Sequence, residues 1–296
     1  MKQRLDIRPL RPVDIAHVTA WARAEGFAPG QGDVAIYRHT DRQGLWLGWL
    51  GEEPIGCIAG VRYNCAYGFI GLFLVRPAWR GQGYGLQLWR HAMHHLADVP
   101  CIGLEAATDR IADYAGWGFH AASPTSRWSL LSAGQPKPSA RWRQGTGAAL
   151  ALVGADAVHD AAVVAYDARH APSPRPHFLR DWLHHPAGTV RALIDGQGCC
   201  HGFGRIRPCL LPTSEGWRVG PLIADTPALA EGLLRGLLLE HPGQVLIDAP
   251  QVNAAAAQLL AGLGFDRVGQ TLRMYRGPRP QLPLEEVFGL ACLELG

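Results

Sequence analysis

The residues with the most evident chemistry lie in the segment "VRPAWRGQGYGLQLW", positions 75–89. An apolar run ends at Val75, and Arg80 then precedes glycines at positions 81, 83 and 85, before helical spacing resumes at Leu86. Backbone N–H groups at a helix start have no intrahelical partner and lie at the positive end of the helix dipole. A glycine loop that leads into a helix can therefore bind an anion closely. The segment predicts a pyrophosphate site, with a tight glycine-rich turn as the alternative.

Two other phosphate-binding motifs do not fit this spacing. A dinucleotide fingerprint that begins at Gly81 requires a third glycine at position 86, where the chain has Leu86. A P-loop requires a Gly-Lys-Ser/Thr ending, which this segment lacks. The spacing therefore indicates a different kind of phosphate loop.

Three segments resemble a known family. "LFLVRPAWRGQGYG" resembles motif A of the GNAT (GCN5-related N-acetyltransferase) superfamily, whose Arg/Gln-x-x-Gly-x-Gly/Ala loop binds the pyrophosphate of acetyl-CoA. "YAGWGF" at 114–119 resembles a later motif of that superfamily, a helical tyrosine before Gly-Phe. "EGFAPGQGD" at 25–33 resembles the Glu-Gly-Trp-Asn-Pro-Gly element of tandem GNAT proteins and departs from it at Phe27 and Ala28. In the second half, "RVGPLIAD", "RMYRG" and "VFGLACLELG" also resemble tandem GNAT proteins, so the resemblance covers most of the chain. It implies an acetyl-CoA-dependent N-acetyltransferase that acts on a primary amine of a small molecule.

The resemblance also implies roles for residues around the cosubstrate. Tyr114 matches the tyrosine that hydrogen-bonds the departing CoA sulfur, with an ordinary core tyrosine as the alternative. The residues expected at the pantetheine arm and the pyrophosphate are Phe73, Leu74, Val75, Arg80, Gly81, Gln82, Gly83, Tyr84 and Gly85. Because a tyrosine pKa of about 10 exceeds a thiol pKa of about 8.5, hydrogen bonding to the sulfur is favoured over full proton transfer.

The acceptor amine poses the larger chemical demand. An alkylamine with a pKa of about 10.4 is neutral in only about one molecule in 2,500 at pH 7, which costs roughly 4.6 kcal/mol before attack. The strand before the loop, "YGFIGLFLV", contains no carboxylate that could take the proton. We therefore expect Glu25, Asp33 or Glu105 to bind the ammonium, with Glu25 and Glu105 also as candidate catalytic bases through water. A solvated or capping carboxylate is the alternative at each position.

Hydrophobic patterning outlines the elements that must position these residues. Short apolar runs at 45–50, 54–63 and 67–75 predict neighbouring strands, and helical spacing follows from Leu86 to Leu96. The second half repeats this order of elements. The pattern predicts an α/β (α+β) fold in two copies. The resemblance implies that these are two tandem GNAT-like domains, each a mixed, mostly antiparallel sheet flanked by helices.

A polar, proline-bearing stretch at 132–140 predicts the linker between these domains. We expect an acetyl-CoA-binding domain at 1–133 and a degenerate GNAT-like domain at 141–296. The second domain has Thr226 and Pro227 in place of the glycine loop and Leu260 in place of the tyrosine, so we expect it to act as a lid or to select the acceptor. Its polar candidates for a shared cleft are Arg207, Asp248, Asn253, Arg273 and Tyr275.

Composition gives no evidence for a nucleic-acid or membrane partner, and the partner we expect is a small-molecule amine. The net charge of +3 is mild, and no basic block indicates a nucleic-acid partner. No apolar run approaches the roughly 20 residues of a membrane-spanning helix, and the start does not resemble a signal peptide, so we expect a cytoplasmic protein, as monomer or homodimer. In "HAMHH", His91 and His95 are one helical turn apart but lack the adjacent glutamate of the metalloprotease pattern, and "CCH" at 199–201 lacks the spaced pairs that zinc usually takes, so we expect no metal.

Three alternatives to the leading function remain at this point. The chain could use a bulkier acyl-CoA, or it could acylate a protein amine. It could also be a non-catalytic CoA-binding sensor or scaffold, because the same loop predicts CoA binding with or without turnover.

Overall fold

The structure, a computed structural model, describes residues 4–132, 150–154 and 160–296. Apart from Ser132, the predicted linker lies outside the described residues, and the domain boundaries stay predictions. The first half contains strands β1 (Asp6–Pro9), β2 (Leu45–Leu50), β3 (Glu53–Arg62), β4 (Tyr67–Val75), β5 (Cys101–Ala107) and β6 (His120–Ser132), with helices α1 (Ile15–Ala24), α2 (Asp33–Thr40), α3 (Tyr84–His95) and α4 (Ile111–Ala115). The second half contains strands β7 (Ala151–Gly154), β8 (Thr189–Ile194), β9 (Cys200–Leu210), β10 (Glu215–Ala224), β11 (Gly243–Pro250), β12 (Asp266–Arg276) and β13 (Val287–Gly289), with helices α5 (Asp160–His170), α6 (Pro176–His184), α7 (Pro227–Leu239) and α8 (Ala254–Gly262).

The strands of both halves form one continuous sheet. Its order is β1-β2-β3-β4-β5-β12-β6-β11-β10-β9-β8-β7, and β13 pairs with β10 outside this path. The halves exchange strands, because β12 lies between β5 and β6, and β6 pairs on its other side with β11. The registers place Arg273 opposite Glu105 and Asp248 opposite Arg127. Residues of both halves therefore meet at the centre of the sheet.

Most pairs among the described strands are antiparallel, and the parallel pairs are β4 with β5 and β10 with β11. The predicted mixed, mostly antiparallel sheet flanked by helices is therefore confirmed. The strands predicted at 45–50 and 67–75 coincide with β2 and β4. The predicted repeat of elements is also present, because a helix links the strands of each parallel pair, α3 in the first half and α7 in the second.

Helix α3 owes its position to an apolar face of helical period. Its buried residues are Tyr84, Leu88, Trp89, Ala92 and Met93, whose spacing of i, i+4, i+5, i+8 and i+9 puts them on one helix face that packs against β3 and β4. This packing fixes the N-terminus of α3 beside the end of β4. The elements that position the glycine loop are therefore specified by local sequence.

A completely buried ion pair ties the second half to the first. Arg207 on β9 donates from Nε and Nη2 to the Asp33 carboxylate on α2, at 2.8 and 2.9 Å. Asp33 also accepts the N–H of Gly30 at 2.9 Å. Burial is the largest single influence and would raise the pKa of Asp33, but the charge and hydrogen bonds of Arg207, together with the charges of Arg218 and Arg205, hold that pKa below its usual value. The pair is therefore charged, and each member depends on the other.

Removing one member of this pair should destabilise the fold strongly. Arg207→Met leaves Asp33 as a buried charge without its partner, and such a loss typically costs about 3 to 5 kcal/mol. We expect this decrease in the free energy of unfolding, measured in urea. Arg191→Met is the matched control, because Arg191 pairs at 2.7 Å with the largely exposed Glu240, an interaction worth about 0 to 1 kcal/mol. Equally small losses in both variants would contradict the stabilising role of the buried pair.

Candidate active site

Strands β4 and β5 diverge partway along their length. They pair in parallel from Tyr67 to Ile70 on β4 and from Cys101 to Leu104 on β5, and the pairing then stops although both strands continue. At the divergence Leu72 adopts a φ of 46°, which residues with side chains rarely take. Backbone strain of this kind is concentrated at functional sites, where the surrounding structure enforces it. The divergence leaves an opening between two strands of a sheet.

The loop after β4 directs the start of α3 toward this opening. Gly81 and Gly83 have φ values of 72° and 86°, in the left-handed region that favours glycine, and Gly83 immediately precedes α3. Gly85 lies against β4, where an added Cβ would come within 3.4 Å of the Phe73 ring and 3.5 Å of the Val75 side chain. The N–H groups of the first helical turn and the Arg80 guanidinium both lie at this corner, and such groups favour an anion.

A cleft of about 960 Å³ extends from this loop into the opening. The predicted site residues that line the cleft are Glu25, Phe73, Leu74, Val75, Arg80, Gly81, Gly85, Glu105 and Tyr114. Gln82, Gly83, Tyr84 and Asp33 are not among its lining residues. The Gln82 side chain instead donates to the Ala78 carbonyl at 3.1 Å, and the Tyr84 ring is buried in the core beneath α3. Residues 82–84 can contribute their backbone to the loop, but the structure does not bring the side chains of Gln82 and Tyr84 to the cleft.

Tyr114 lies on α4 at the wall of the cleft. Its ring packs against Trp89, with centroids 5.3 Å apart, and against Phe119 at 6.5 Å. Burial raises the pKa of Tyr114 to about 12. The hydroxyl therefore keeps its proton throughout the neutral range and is available as a hydrogen-bond donor.

Glu105 reaches the cleft but is already engaged. Its Oε1 accepts the Thr271 hydroxyl at 2.7 Å, and its Oε2 accepts Arg273 Nε at 2.6 Å. Both donors lie on β12, the exchanged strand. The Glu105 side chain is almost fully buried, so its carboxylate holds the exchanged strand in register.

Glu25 and Asp33, the two candidates of the early loop, differ in their surroundings. Glu25 lines the cleft and forms an ion pair with Arg80 Nη2 across its mouth. Asp33 is fully buried in its pair with Arg207 and is not part of the cleft wall. The structure therefore brings Glu25 to the site and commits Asp33 to the fold.

Residues near the strand exchange and the end of the chain complete the wall. Arg127 donates to Asp248 at 2.7 and 3.0 Å, and both residues line the cleft. Glu294 is buried with its carboxylate 3.1 Å from Arg218 Nη1, and its main chain packs on Gly71 of β4. Asp248 was among the sequence candidates for a shared cleft. Arg127 and Glu294 were missed, because nothing in their local sequence shows that exchanged strands bring them here.

The other polar candidates of the second half serve the fold. Arg207 pairs with Asp33, and Arg273 pairs with Glu105. Asn253 begins α8 by accepting the N–H of Ala256 at 2.9 Å. Tyr275 is buried in an aromatic cluster and does not line the cleft.

The corresponding opening in the second half is filled by the chain itself. Strands β10 and β11 pair in parallel from Trp217 to Val219, and β13 then pairs with β10 beyond that point. The N–H of Leu290 donates to the Asp248 carbonyl on β11 at 2.8 Å. The start of α7 is capped by the Thr226 side chain, which accepts the N–H of Leu229 at 3.4 Å. The backbone groups that a second cosubstrate would need are therefore already paired.

The described part of the chain contains no group of three or more His, Cys, Asp and Glu side chains arranged to hold a metal ion. His91 and His95 pack edge-on against Trp46, with centroids at 4.8 and 5.2 Å. No described helix is long and apolar enough to cross a membrane.

Comparison with known proteins gives matches in both halves. Residues 15–120 match the acetyltransferase (GNAT) family, and residues 163–289 match an acetyltransferase (GNAT) domain. The chain is 30% identical over 281 residues to a holothin acyltransferase from Pseudoalteromonas sp. (strain SANK 73390), which covers 94% of this chain and 90% of that protein.

Solved structures show the same fold at lower identity. A proposed acetyltransferase from Pyrococcus horikoshii superposes with a TM-score of 0.80 at 23% identity, covering 99% of this chain and 96% of that one. A tandem GNAT protein from the clavulanic acid biosynthesis pathway superposes with a TM-score of 0.64 at 16% identity, covering 93% of this chain and 100% of that one.

The close approach of Glu294 to Gly71 gives a testable consequence. A Cβ at position 71 would collide with the Glu294 carbonyl, so Gly71→Ala should displace the C-terminal segment from β4. We expect faster amide hydrogen exchange across residues 290–296. Gly269→Ala is the matched control on the same cleft, because its Cβ would make an ordinary 3.6 Å contact with Arg127. Unchanged exchange in Gly71→Ala would contradict this packing.

Proposed function

Because the chain belongs to the tandem GNAT acyltransferases, we propose that it transfers an acyl group, first of all acetyl, from acyl-CoA to a primary amine of a small molecule. The observation that carries the proposal is the opening between β4 and β5 beside the glycine loop. An extended pantetheine arm needs strand-like backbone partners, and a pyrophosphate needs clustered N–H donors. This cleft offers both at one end of the same strand.

In the proposed reaction the amine nitrogen attacks the thioester carbonyl carbon. The C–N bond forms, the C–S bond breaks, the sulfur leaves as thiolate, and the amine gives up a proton to a carboxylate or to water. Negative charge develops first on the carbonyl oxygen, which the β4 backbone beyond Leu72 can stabilise from the edge that no longer pairs with β5. No nucleophilic side chain is required, so the protein acts mainly by positioning and hydrogen bonding.

Tyr114 serves the leaving sulfur as a hydrogen-bond donor. With a tyrosine pKa of about 12 and a thiol pKa of about 8.5, full proton transfer to the thiolate would be uphill by roughly 5 kcal/mol. A hydrogen bond to the charged thiolate needs no such transfer and contributes roughly 1.5 to 3 kcal/mol. The proposed role is therefore stabilisation of the thiolate, with its protonation left to solvent.

The acceptor is proposed to enter where the two halves meet. There the wall consists of Glu25 and Phe27 from the first half, Asp248 and the β12 segment 268–271 from the second, and Glu294 near the end of the chain. Because most of these groups belong to the second half, that half is proposed to select the acceptor. The relative named holothin acyltransferase adds holothin to the acceptors worth testing.

The test is spectroscopic detection of free CoA thiol from acetyl-CoA and longer acyl-CoAs, with a panel of amines that includes holothin, polyamines, amino sugars and a lysine peptide. We expect amine-dependent thiol release for a small amine and none for Gly83→Glu, which places a negative charge in the loop. Calorimetric CoA binding without any release would favour a sensor over an enzyme. Absence of CoA binding would overturn the proposal.

Tyr114→Phe tests the sulfur partner. Losing a hydrogen bond to a charged atom should lower kcat by roughly 10- to 150-fold. Because the pKa of Tyr114 is raised to about 12, the hydroxyl is protonated throughout pH 6 to about 10, and the loss should be uniform across that range. Wild-type turnover in Tyr114→Phe, or a loss confined to high pH, would contradict the assignment. Tyr166→Phe is a suitable control, since the Tyr166 hydroxyl donates to the Asp225 carboxylate at 2.7 Å and neither residue lines the cleft.

A further inference from the structure

The carboxylates of the cleft differ in their ion-pair partners. Those that line it are Glu25, Glu105, Asp109, Asp113, Asp248 and Glu294. Three are bound by arginines of the fold, Glu105 by Arg273, Asp248 by Arg127 and Arg218, and Glu294 by Arg218. Using any of these for an acceptor would require breaking a buried ion pair, which is costly. They are therefore fixed parts of the wall.

Asp109 and Asp113 lie elsewhere in the cleft. Both are largely exposed and flank Arg110, at 3.4 and 3.3 Å, at the start of α4. This is the helix that carries Tyr114, the proposed sulfur partner, so these carboxylates border the cosubstrate. Their partner Arg110 lies outside the proposed pyrophosphate loop, so binding of the cosubstrate there would not release them.

Among the described residues, the ion-pair partner of Glu25 is one that the cosubstrate itself should engage. That partner is Arg80, the first residue of the proposed pyrophosphate loop, whose Nε donates to the Val75 carbonyl at 2.8 Å. Both side chains are partly exposed, at 31% for Glu25 and 44% for Arg80. An exposed pair of this kind is weak and easily exchanged. A pyrophosphate offers Arg80 more negative charge than one carboxylate does, in geometry that suits a guanidinium.

We propose that the cosubstrate's pyrophosphate draws Arg80 away from Glu25, and that the released Glu25 carboxylate then binds the ammonium group of the acceptor. This inference rests on the proposed function. Without the cosubstrate, the charge of Glu25 is neutralised by Arg80, and an amine gains little at the site. With the cosubstrate bound, Glu25 is the one cleft carboxylate whose partner has been taken, and it stands at the junction where the acceptor enters.

In this exchange Glu25 and the pyrophosphate compete for Arg80, so that CoA binding and amine binding are coupled. If CoA frees Glu25 for the amine, then removing Glu25 by mutation frees Arg80 for CoA. Exposed ion pairs of measured strength correspond to equilibrium constants of roughly 1.4 to 5 for pairing. Because Arg80 can bind the pyrophosphate only when it is not paired with Glu25, loss of the pair should tighten CoA binding by about 2- to 6-fold.

The experiment measures the Kd of CoA by calorimetry in wild type, Glu25→Gln and Glu53→Gln. Glu53 provides a matched control, because it forms a similarly exposed pair with Arg76 four residues before Arg80, outside the cleft wall. We expect Glu25→Gln to bind CoA about 2- to 6-fold more tightly and Glu53→Gln to be unchanged. In the thiol-release assay, Glu25→Gln should also show a higher KM for the amine, so that the two substrates shift in opposite directions.

The outcomes separate this inference from the proposed function. If wild type does not bind CoA, the proposed function itself fails. If wild type binds CoA and Glu25→Gln binds it equally or more weakly, the exchange is overturned while the function stands. Equal tightening in Glu53→Gln would also overturn the exchange, because the effect would then reflect net charge.

Discussion

The insertion of β12 between β5 and β6 is the constraint on which the rest of the structure depends. It makes one sheet from two halves and sets Arg273 against Glu105 on one side. On the other side of β6, the register sets Arg127 against Asp248. These ion pairs lie in or beside the cleft, so the same contacts that fix the strand order also build its wall. Stability and site geometry are therefore properties of the joined halves rather than of either half.

The two halves contain the same opening between parallel strands and use it differently. In the first half the opening leads to a glycine loop and remains a cleft. In the second, β13 and Leu290 occupy the space between β10 and β11. The chain then continues to Gly71, where Glu294 packs on the first opening. One C-terminal segment thus closes one opening and narrows the other, which suits a division of labour between cosubstrate binding and acceptor selection.

Local sequence was sufficient to predict the elements that depend only on residues close together in the chain. The loop from Arg80 to Gly85, strands β2 and β4, and the placement of Tyr114 on a helix follow from apolar period, glycine spacing and helix starts. These signals need no knowledge of distant partners, and the family resemblance reinforced them.

The remaining features depend on partners far along the chain. Nothing near Asp33 indicates that Arg207 will neutralise it, and nothing near Glu105 indicates that Arg273 will occupy one of its oxygens. Strand exchange is equally invisible in the sequence, because the alternating pattern of a strand such as β12 can be satisfied against any neighbour of matching register. The sequence therefore predicts carboxylates at the site only from their residue type. Their ion-pair partners, which are distant in the sequence, distinguish Glu25 from the other carboxylates.

A crystal structure of the protein with CoA tests the central claim most directly. The account predicts the pantetheine arm in the opening between β4 and β5, the pyrophosphate at the N–H groups of residues 81–85, and Arg80 turned from Glu25 toward the phosphates. It also predicts that β13 stays in place between β10 and β11. CoA bound in the second half, or bound with the glycine loop uninvolved, would contradict the account.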